Sequence, residues 1–358
     1  MKSSHLLLML MGFVTQAIGW GLLPRRWRVT SALLGLALDA AWIFWYVTDT
    51  RSLSVSGVWS LSPIATWLSF HLILGPIVGV EVLARLLPWR RWVRVLGLGL
   101  ILGGYAWGLG EAYGPPVLTE IALSFPDLPP AFDGYRIVLF GDVHAGPYAG
   151  TRTVSRWAQA IGQVPGDLLV GAGDFVAYTA EEAERAGVAF EVLHPSDGLV
   201  GVLGNHDQYV RTDEVAERLR RHGWVILLDQ SLVIERQGQR LVIMGSRYPT
   251  GDEAAFRPDW RGKPWPPGFR IGLCHDPAQW PLLQQEGARL TLAAHTHGGQ
   301  VNLSPFYNAA LERSPYIAGL YQKGPASLFV TRGLGCTVLP FRFRCRPEIV
   351  QVTLRRGG

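Results

Sequence analysis

Apolar and polar positions divide the chain into two regions with different rhythms. Over the first third, four apolar stretches follow one another: Leu6–Leu23, Val29–Val47, Leu61–Val80 and Val93–Leu109. None has a polar face. A helix needs roughly 20 apolar residues to cross a bilayer, and each stretch is at or near that length. The pattern therefore predicts a bundle of about four transmembrane helices over residues 1–113. A signal peptide in place of the first is disfavoured, because another apolar stretch follows at once and not a cleavage site with a soluble segment. From about residue 117 the rhythm changes. Short apolar runs alternate with helical segments such as Arg152–Ile161 and Asp213–His222, which predicts an α/β domain over residues 114–358. Pro115 and Pro116 end the last span. Val117–Ser124 reads as a strand, and a proline-rich link leads to a second, Tyr135–Phe140. With so short a spacer, at no more than about 3.6 Å per residue, the second domain is expected close to the bilayer.

Charge and tryptophan refine the picture. Residues 1–113 hold nine of the fourteen tryptophans. Trp20, Trp27, Trp59, Trp89, Trp92 and Trp107 fall near the ends of the stretches, where interfacial aromatic belts lie. Arg25, Arg26 and Arg28 follow the first stretch; Arg85, Arg90, Arg91 and Arg94 separate the third from the fourth. The other side has only Lys2 and Arg51 near the spans. The excess of arginine places those two loops in the cytoplasm, and four spans then put the domain from residue 114 outside it. The expectation is a multi-pass protein of the inner or plasma membrane with an extracytoplasmic domain. Asp39, His71 and Glu81 are expected to make helix–helix hydrogen bonds or to lie at the interface. The net charge of +5 suits an anionic substrate or membrane surface. No basic recognition helix or nucleic-acid motif accompanies it, so nucleic acid is not an expected partner. Three cysteines, Cys274, Cys336 and Cys345, are too few for a disulfide framework. A Cys336–Cys345 bridge is conceivable outside the cytoplasm; buried free thiols are the favoured reading.

The candidate chemistry sits at strand ends. "RIVLFGDVH" delivers Asp142 and His144, "DLLVGAGD" delivers Asp174, and "GLVGVLGNHD" delivers Asn205, His206 and Asp207. "FRIGLCHD" delivers His275, and "LTLAAHTHGGQ" delivers His295 and His297. Open α/β sheets gather ligands at the carboxyl ends of their strands. Carboxylate and amide oxygens mixed with imidazoles suit Mn, Fe or Zn, with Mg a poorer fit. A pair of cations about 3.5–4 Å apart needs a shared anion, and the lone Asp174 can supply it. Any one block alone would be structural or accidental more often than not; five after five strands point to a metal site.

The blocks "GDVH", "GAGD", "GNHD", "CHDP" and "AHTHGGQ" resemble those of the calcineurin-like metallophosphoesterases, over about residues 117–354. The tail "YIAGLYQKGPASLFVTRGLGCTVLPFRFRCRPEIVQVTL" looks like the membrane-associated bacterial subgroup. That subgroup includes UDP-2,3-diacylglucosamine hydrolases of lipid A synthesis and cell-envelope phosphodiesterases. The resemblance implies a β-sandwich flanked by helices with two divalent metal ions at one edge. By motif, Asp142, His144, Asp174 and His297 would hold one cation, and Asp174, Asn205, His275 and His295 the other. His206 would assist the leaving group, with Asp207 as its orienting partner. Two positions depart from the family pattern. Ala294 replaces a glycine, a minor packing change. Ala177 replaces an aspartate common in the family, which leaves open what hydrogen-bonds His206.

The function implied is metal-dependent hydrolysis of a phosphodiester or pyrophosphate. The expected substrate is lipid-linked or part of the envelope, with the bilayer as partner. The alternatives are a UDP-2,3-diacylglucosamine pyrophosphatase, and a catalytically silent metal-bound membrane scaffold or sensor. Two basic aromatic stretches are candidate lipid contacts. "FRPDWRGKPWPPGFR" (Phe256–Arg270) lacks a clean period. "LPFRFRCR" is expected as an ordinary strand with Phe341 and Phe343 inward and Arg342, Arg344 and Arg346 outward.

Overall fold

A proline at the first turn and an uninterrupted apolar run start helix α1, Pro63–Leu86, where the lone N–H lost by proline is an orphan anyway. In the computed structural model, residues 63–249, 264–302, 314–337 and 339–357 are described. The stretches Leu6–Leu23 and Val29–Val47 lie outside them, as do Asp39 and residues 256–263 of the first basic aromatic stretch. Helix α2, Arg90–Tyr113, is long and apolar enough to cross a membrane. Most of its side chains lie open: Leu100 is 78% exposed and Trp107 60%. An apolar helix of this length and exposure is a candidate membrane span. Glu81 on α1 accepts from Arg94 on α2 at 2.7 Å and from Arg85 at 3.1 Å, the helix–helix bonding expected of it. Compactness divides the chain between Gly108 and Leu109, a few residues before the expected boundary.

The second unit is built on two six-stranded sheets. The first runs β1 (Val117–Phe125), β12 (Glu348–Arg356), β2 (Arg136–Phe140), β3 (Leu168–Ala172), β4 (Leu199–Val202), β5 (Trp224–Ile226). All neighbours are parallel except β12 and β2. The second runs β10 (Gly319–Lys323), β11 (Ala326–Val330), β9 (Leu290–Ala293), β8 (Phe269–Leu273), β7 (Gln239–Gly245), β6 (Gln230–Arg236). Its outer pairs are antiparallel and its centre parallel. Strand alternation assigns the layers. Ile137 and Leu139 of β2 point between the sheets, onto Ile271 and Leu292. Val138 and Phe140 point the other way, into a cluster with Trp157, Ile161, Phe190 and Leu219. That cluster is closed by α3 (Thr151–Gly162), α4 (Glu181–Phe190) and α5 (Asn205–Arg221). On the far side α6 (Trp280–Gln285) sets Trp280 and Leu283 against Val242, Met244 and Leu328. With both faces covered, β3 and β4 are apolar at every position, which is why their runs are continuous and not alternating. The order helix, sheet, sheet, helix is the sandwich expected from the sequence. β2, β3, β4, β8 and β9 all end at one edge.

Candidate metal centre

Beyond the strand tips the loops keep pairing with one another. His144 donates its N–H to the Asp174 carbonyl at 2.9 Å, Asp142 to Gly173 at 3.0 Å, and Ala294 to His275 at 3.0 Å. Side chains tie one loop to the next. The Asp142 carboxylate, from the first sheet, accepts the His295 N–H from the second at 3.1 Å. Asp174 Oδ1 accepts the His206 N–H at the start of α5 at 2.8 Å. Five candidate ligands, Asp142, His144, Asp174, His295 and His297, have left-handed backbones, with φ between 45° and 74°. Each such residue costs on the order of 1–3 kcal/mol and persists where its surroundings hold it. The bend turns each side chain back over its strand tip. Space is close enough there that a methyl group on Gly204 would run into the Asp174 carboxylate.

All seven sequence-derived candidate ligands meet at this edge. Asp142, His144 and His297 bring ligand atoms within 4.8 Å of one another, as do Asp174, His275 and His295. His144 Nε2 lies 3.0 Å from His297 Nε2 and 3.5 Å from Asp174 Oδ2. His275 Nε2 lies 3.3 Å from Asp174 Oδ2, 3.2 Å from Asn205 Oδ1 and 3.1 Å from His295 Nδ1. Asp174 thus borders both groups. His275 donates its Nδ1 proton to the Ala172 carbonyl at 2.7 Å, which fixes the tautomer and turns Nε2 inward.

The electrostatics suit cations. Burial pushes the Asp142 carboxyl up to about 7, against the pull of His275. Burial also pushes His144 down to about 3 and His297 well below its usual range, so both imidazoles stay neutral with a lone pair to give. For His275 burial acts downward too, but the Asp174 and Asp142 carboxylates overcome it and raise the ring to about 10. Buried carboxyl groups beside imidazoles held neutral make a donor set that fits divalent cations.

His206 stands beside the centre, its ring 4.5 Å from that of His144 and edge-on to it. Its Nδ1 is 2.8 Å from the carbonyl oxygen of Ala177. This corrects the expectation for Asp207. That carboxylate accepts from the N–H groups of Val176 at 3.0 Å and Gly204 at 2.9 Å, and so pins the backbone on either side. The ring is oriented by main chain, and a missing side chain at Ala177 takes nothing from it.

Sequence reasoning missed three contributors. Glu182 is buried and accepts the N–H groups of Ala177, Tyr178 and Thr179, fixing the carbonyl that holds His206. Thr179 three residues before Glu182 is the spacing of a helix-start motif, so the signal was there. Tyr248 sets its ring 5.8 Å from those of His275 and His295; no local pattern marks it. Arg342 is fully buried, the reverse of its expected outward placement. Residues 341–347 form no continuous strand, so alternation does not govern them. Cys274, Cys336 and Cys345 are free and buried.

The sequence profile of the calcineurin-like phosphoesterases matches residues 135–299, the span from β2 to the turn after His297. This chain carries a calcineurin-like phosphoesterase domain. An uncharacterized metallophosphoesterase of Bacillus subtilis, YkuE, is 28% identical over 275 residues, 73% of this chain and 93% of its own length. The Escherichia coli phosphodiesterase YaeI is 29% identical over 237 residues, 62% of this chain and 82% of its own. A zebrafish (Danio rerio) transmembrane protein with metallophosphoesterase domain is 28% identical over 283 residues, 75% of this chain; the match spans 63% of that protein. Family and relatives make the phosphoesterase domain that of a metal-dependent hydrolase, and the inward-facing carboxylates and imidazoles are its candidate ligands.

Proposed function

We propose that the chain is a membrane-anchored hydrolase of phosphodiester or pyrophosphate bonds that works with two divalent cations on a lipid-linked or envelope substrate. The observation that carries this is Asp174 lying between two ligand groups, with His206 beside them. Asp142, His144, Asp174 and His297 would hold one cation; Asp174, Asn205, His275 and His295 the other. Bound cations supply the pull on the phosphoryl oxygens and the acidity of the attacking water. The protein does the rest. The left-handed loops aim the ligands, and Tyr248 covers one side. His206 donates its Nδ1 proton to the Ala177 carbonyl, which leaves Nε2 free; as the imidazolium, with a second proton on Nε2, it can give that proton to the departing oxygen. No serine or cysteine nucleophile is needed.

Support for a membrane substrate is the open apolar surface of α2 and the link from its last turn. Glu111 accepts the Cys345 N–H at 3.1 Å, and the Cys345 thiol in turn contacts the His297 carbonyl at 3.1 Å. An acyl chain could stay in the bilayer while its phosphate is hydrolysed at the metal centre. In detergent micelles the purified chain should hydrolyse a nitrophenyl phosphodiester with Mn and lose that activity on chelation. It should also prefer an acylated substrate to a water-soluble one with the same head group. Turnover that survives chelation sinks the metal reading; equal kcat/KM for the two substrates sinks the lipid reading.

The arginine-rich loops support an extracytoplasmic domain. A reporter fused after Gly358 should then be active only outside the cytoplasm. Cytoplasmic activity would reverse the orientation and favour a nucleotide–lipid pyrophosphate made there, the UDP-2,3-diacylglucosamine reading.

A further inference from the structure

Arg342 is fully buried, and its side chain is among the largest the fold encloses completely. Among the described residues no carboxylate lies within ion-pair distance of its guanidinium. A buried cation without a partner costs several kcal/mol, so its hydrogen bonds matter. Nε donates to the Gly335 carbonyl at 3.1 Å, and Nη1 to the Cys345 carbonyl at 3.2 Å. Nη2 donates to the carbonyls of Arg332 at 3.0 Å, Gly333 at 3.3 Å and Gly335. These five bonds all go to main-chain carbonyls, which come from two separate segments; Nη1 also lies 3.9 Å from Cys345 Sγ.

Both segments touch ligands assigned to the first cation. Gly333 lies so close to Asp142 that a methyl group there would come 2.5 Å from its carboxylate oxygen. Leu334 donates to the Gly141 carbonyl at 3.0 Å, and Gly335 to the Asp142 carbonyl at 2.7 Å. On the other side the Cys345 thiol contacts the carbonyls of His297 and Gly298. Nη2 itself stands 3.5 Å from His297 Nδ1. Asp142 comes from the first sheet and His297 from the second, and the guanidinium spans the wall behind them.

We propose that Arg342 is a positioning residue for the first cation, a buried guanidinium that locks Arg332–Gly335 and Cys345 against Asp142 and His297. It rests on the two-cation reading above. Five donors in a rigid plane are what reach two segments at once; an ammonium has three donors on one atom and lacks that geometry. Outer partners of metal ligands typically change affinity by about 10–100-fold when removed. The effect should fall on one site of two.

The test is Mn titration of the full-length protein in detergent, by calorimetry and by the spin-coupled electron paramagnetic resonance signal of paired Mn ions. Arg342→Lys should weaken one Mn site by about 10–100-fold and leave the other within twofold. At intermediate Mn it should show the uncoupled signal of a single ion. Arg342→Met, which removes the buried charge and keeps apolar packing, is the second variant and should do the same. Leu283→Ala, a core cavity on the far side of the second sheet, serves as a control; it should lower Tm without separating the two affinities. Two unchanged Mn sites in either arginine variant overturn the proposal, as does an equal loss at both sites matched by the control. Wild-type protein that binds fewer than two Mn would instead overturn the two-cation reading itself.

Discussion

Asp174→Asn is expected to remove both cations and, with them, turnover. The substitution keeps Oδ1 as an acceptor for the His206 N–H, which lies 2.8 Å away, so the start of α5 should hold. What it removes is the charge that borders both ligand groups, 3.5 Å from His144 Nε2 and 3.3 Å from His275 Nε2. Partners one step removed from a metal typically matter by about 10–100-fold; a shared ligand should matter more, so activity should fall by more than about 10²-fold. Metal analysis of the gel-filtered variant, alongside its phosphodiesterase rate, checks both halves. Two ions per chain together with a wild-type rate would remove Asp174 from the centre.

His206→Ala should behave in the opposite sense on metal and nearly as severely on rate. The ring is at the rim, bonded through Nδ1 to the Ala177 carbonyl and edge-on to His144. Both cations should remain. A general acid contributes about 10²–10⁴-fold, and that contribution depends on the leaving group. An alkyl phosphodiester, whose departing alkoxide needs a proton, should slow by that factor; a nitrophenyl ester, which leaves as a stable anion, should slow far less. An equal slowing of both esters would assign His206 to binding and not to proton transfer.

The ligands were legible because each one follows a short apolar run, and parallel strands deliver their carboxyl ends to one edge whatever lies between them. The helices over the first sheet were legible in part: Asp213–His222 is the second half of α5, which starts at Asn205 and has an extended residue, Arg211, inside it. What escaped depends on residues far apart in sequence. The outward reading of Arg342 assumed that alternating phenylalanine and arginine make a strand. Five carbonyl bonds to segments on either side of it turn the side chain inward instead, and Phe341 and Phe343 stack on each other at 6.5 Å. Asp207 was placed beside His206 by adjacency, yet successive residues of a helix face different ways, and its carboxylate is taken by the backbone of Val176 and Gly204.

The position of β1 has a consequence for how the chain is made. Among the described residues β1 pairs only with β12, residue for residue from Val117 with Glu348 to Phe125 with Arg356. Thr119 and Glu348, joined by a hydrogen bond across that pair, are 229 residues apart. At about 5–20 residues per second, β1 waits roughly 10–50 s after its own synthesis before its partner exists. β2 waits as well, since β12 lies between it and β1. The first sheet is therefore completed only after β12 has been made, when every candidate metal ligand has already left the ribosome's active centre. A truncation before Glu348 leaves every candidate metal ligand encoded, yet leaves β1 without its partner β12, an unpaired edge open to proteolysis and aggregation.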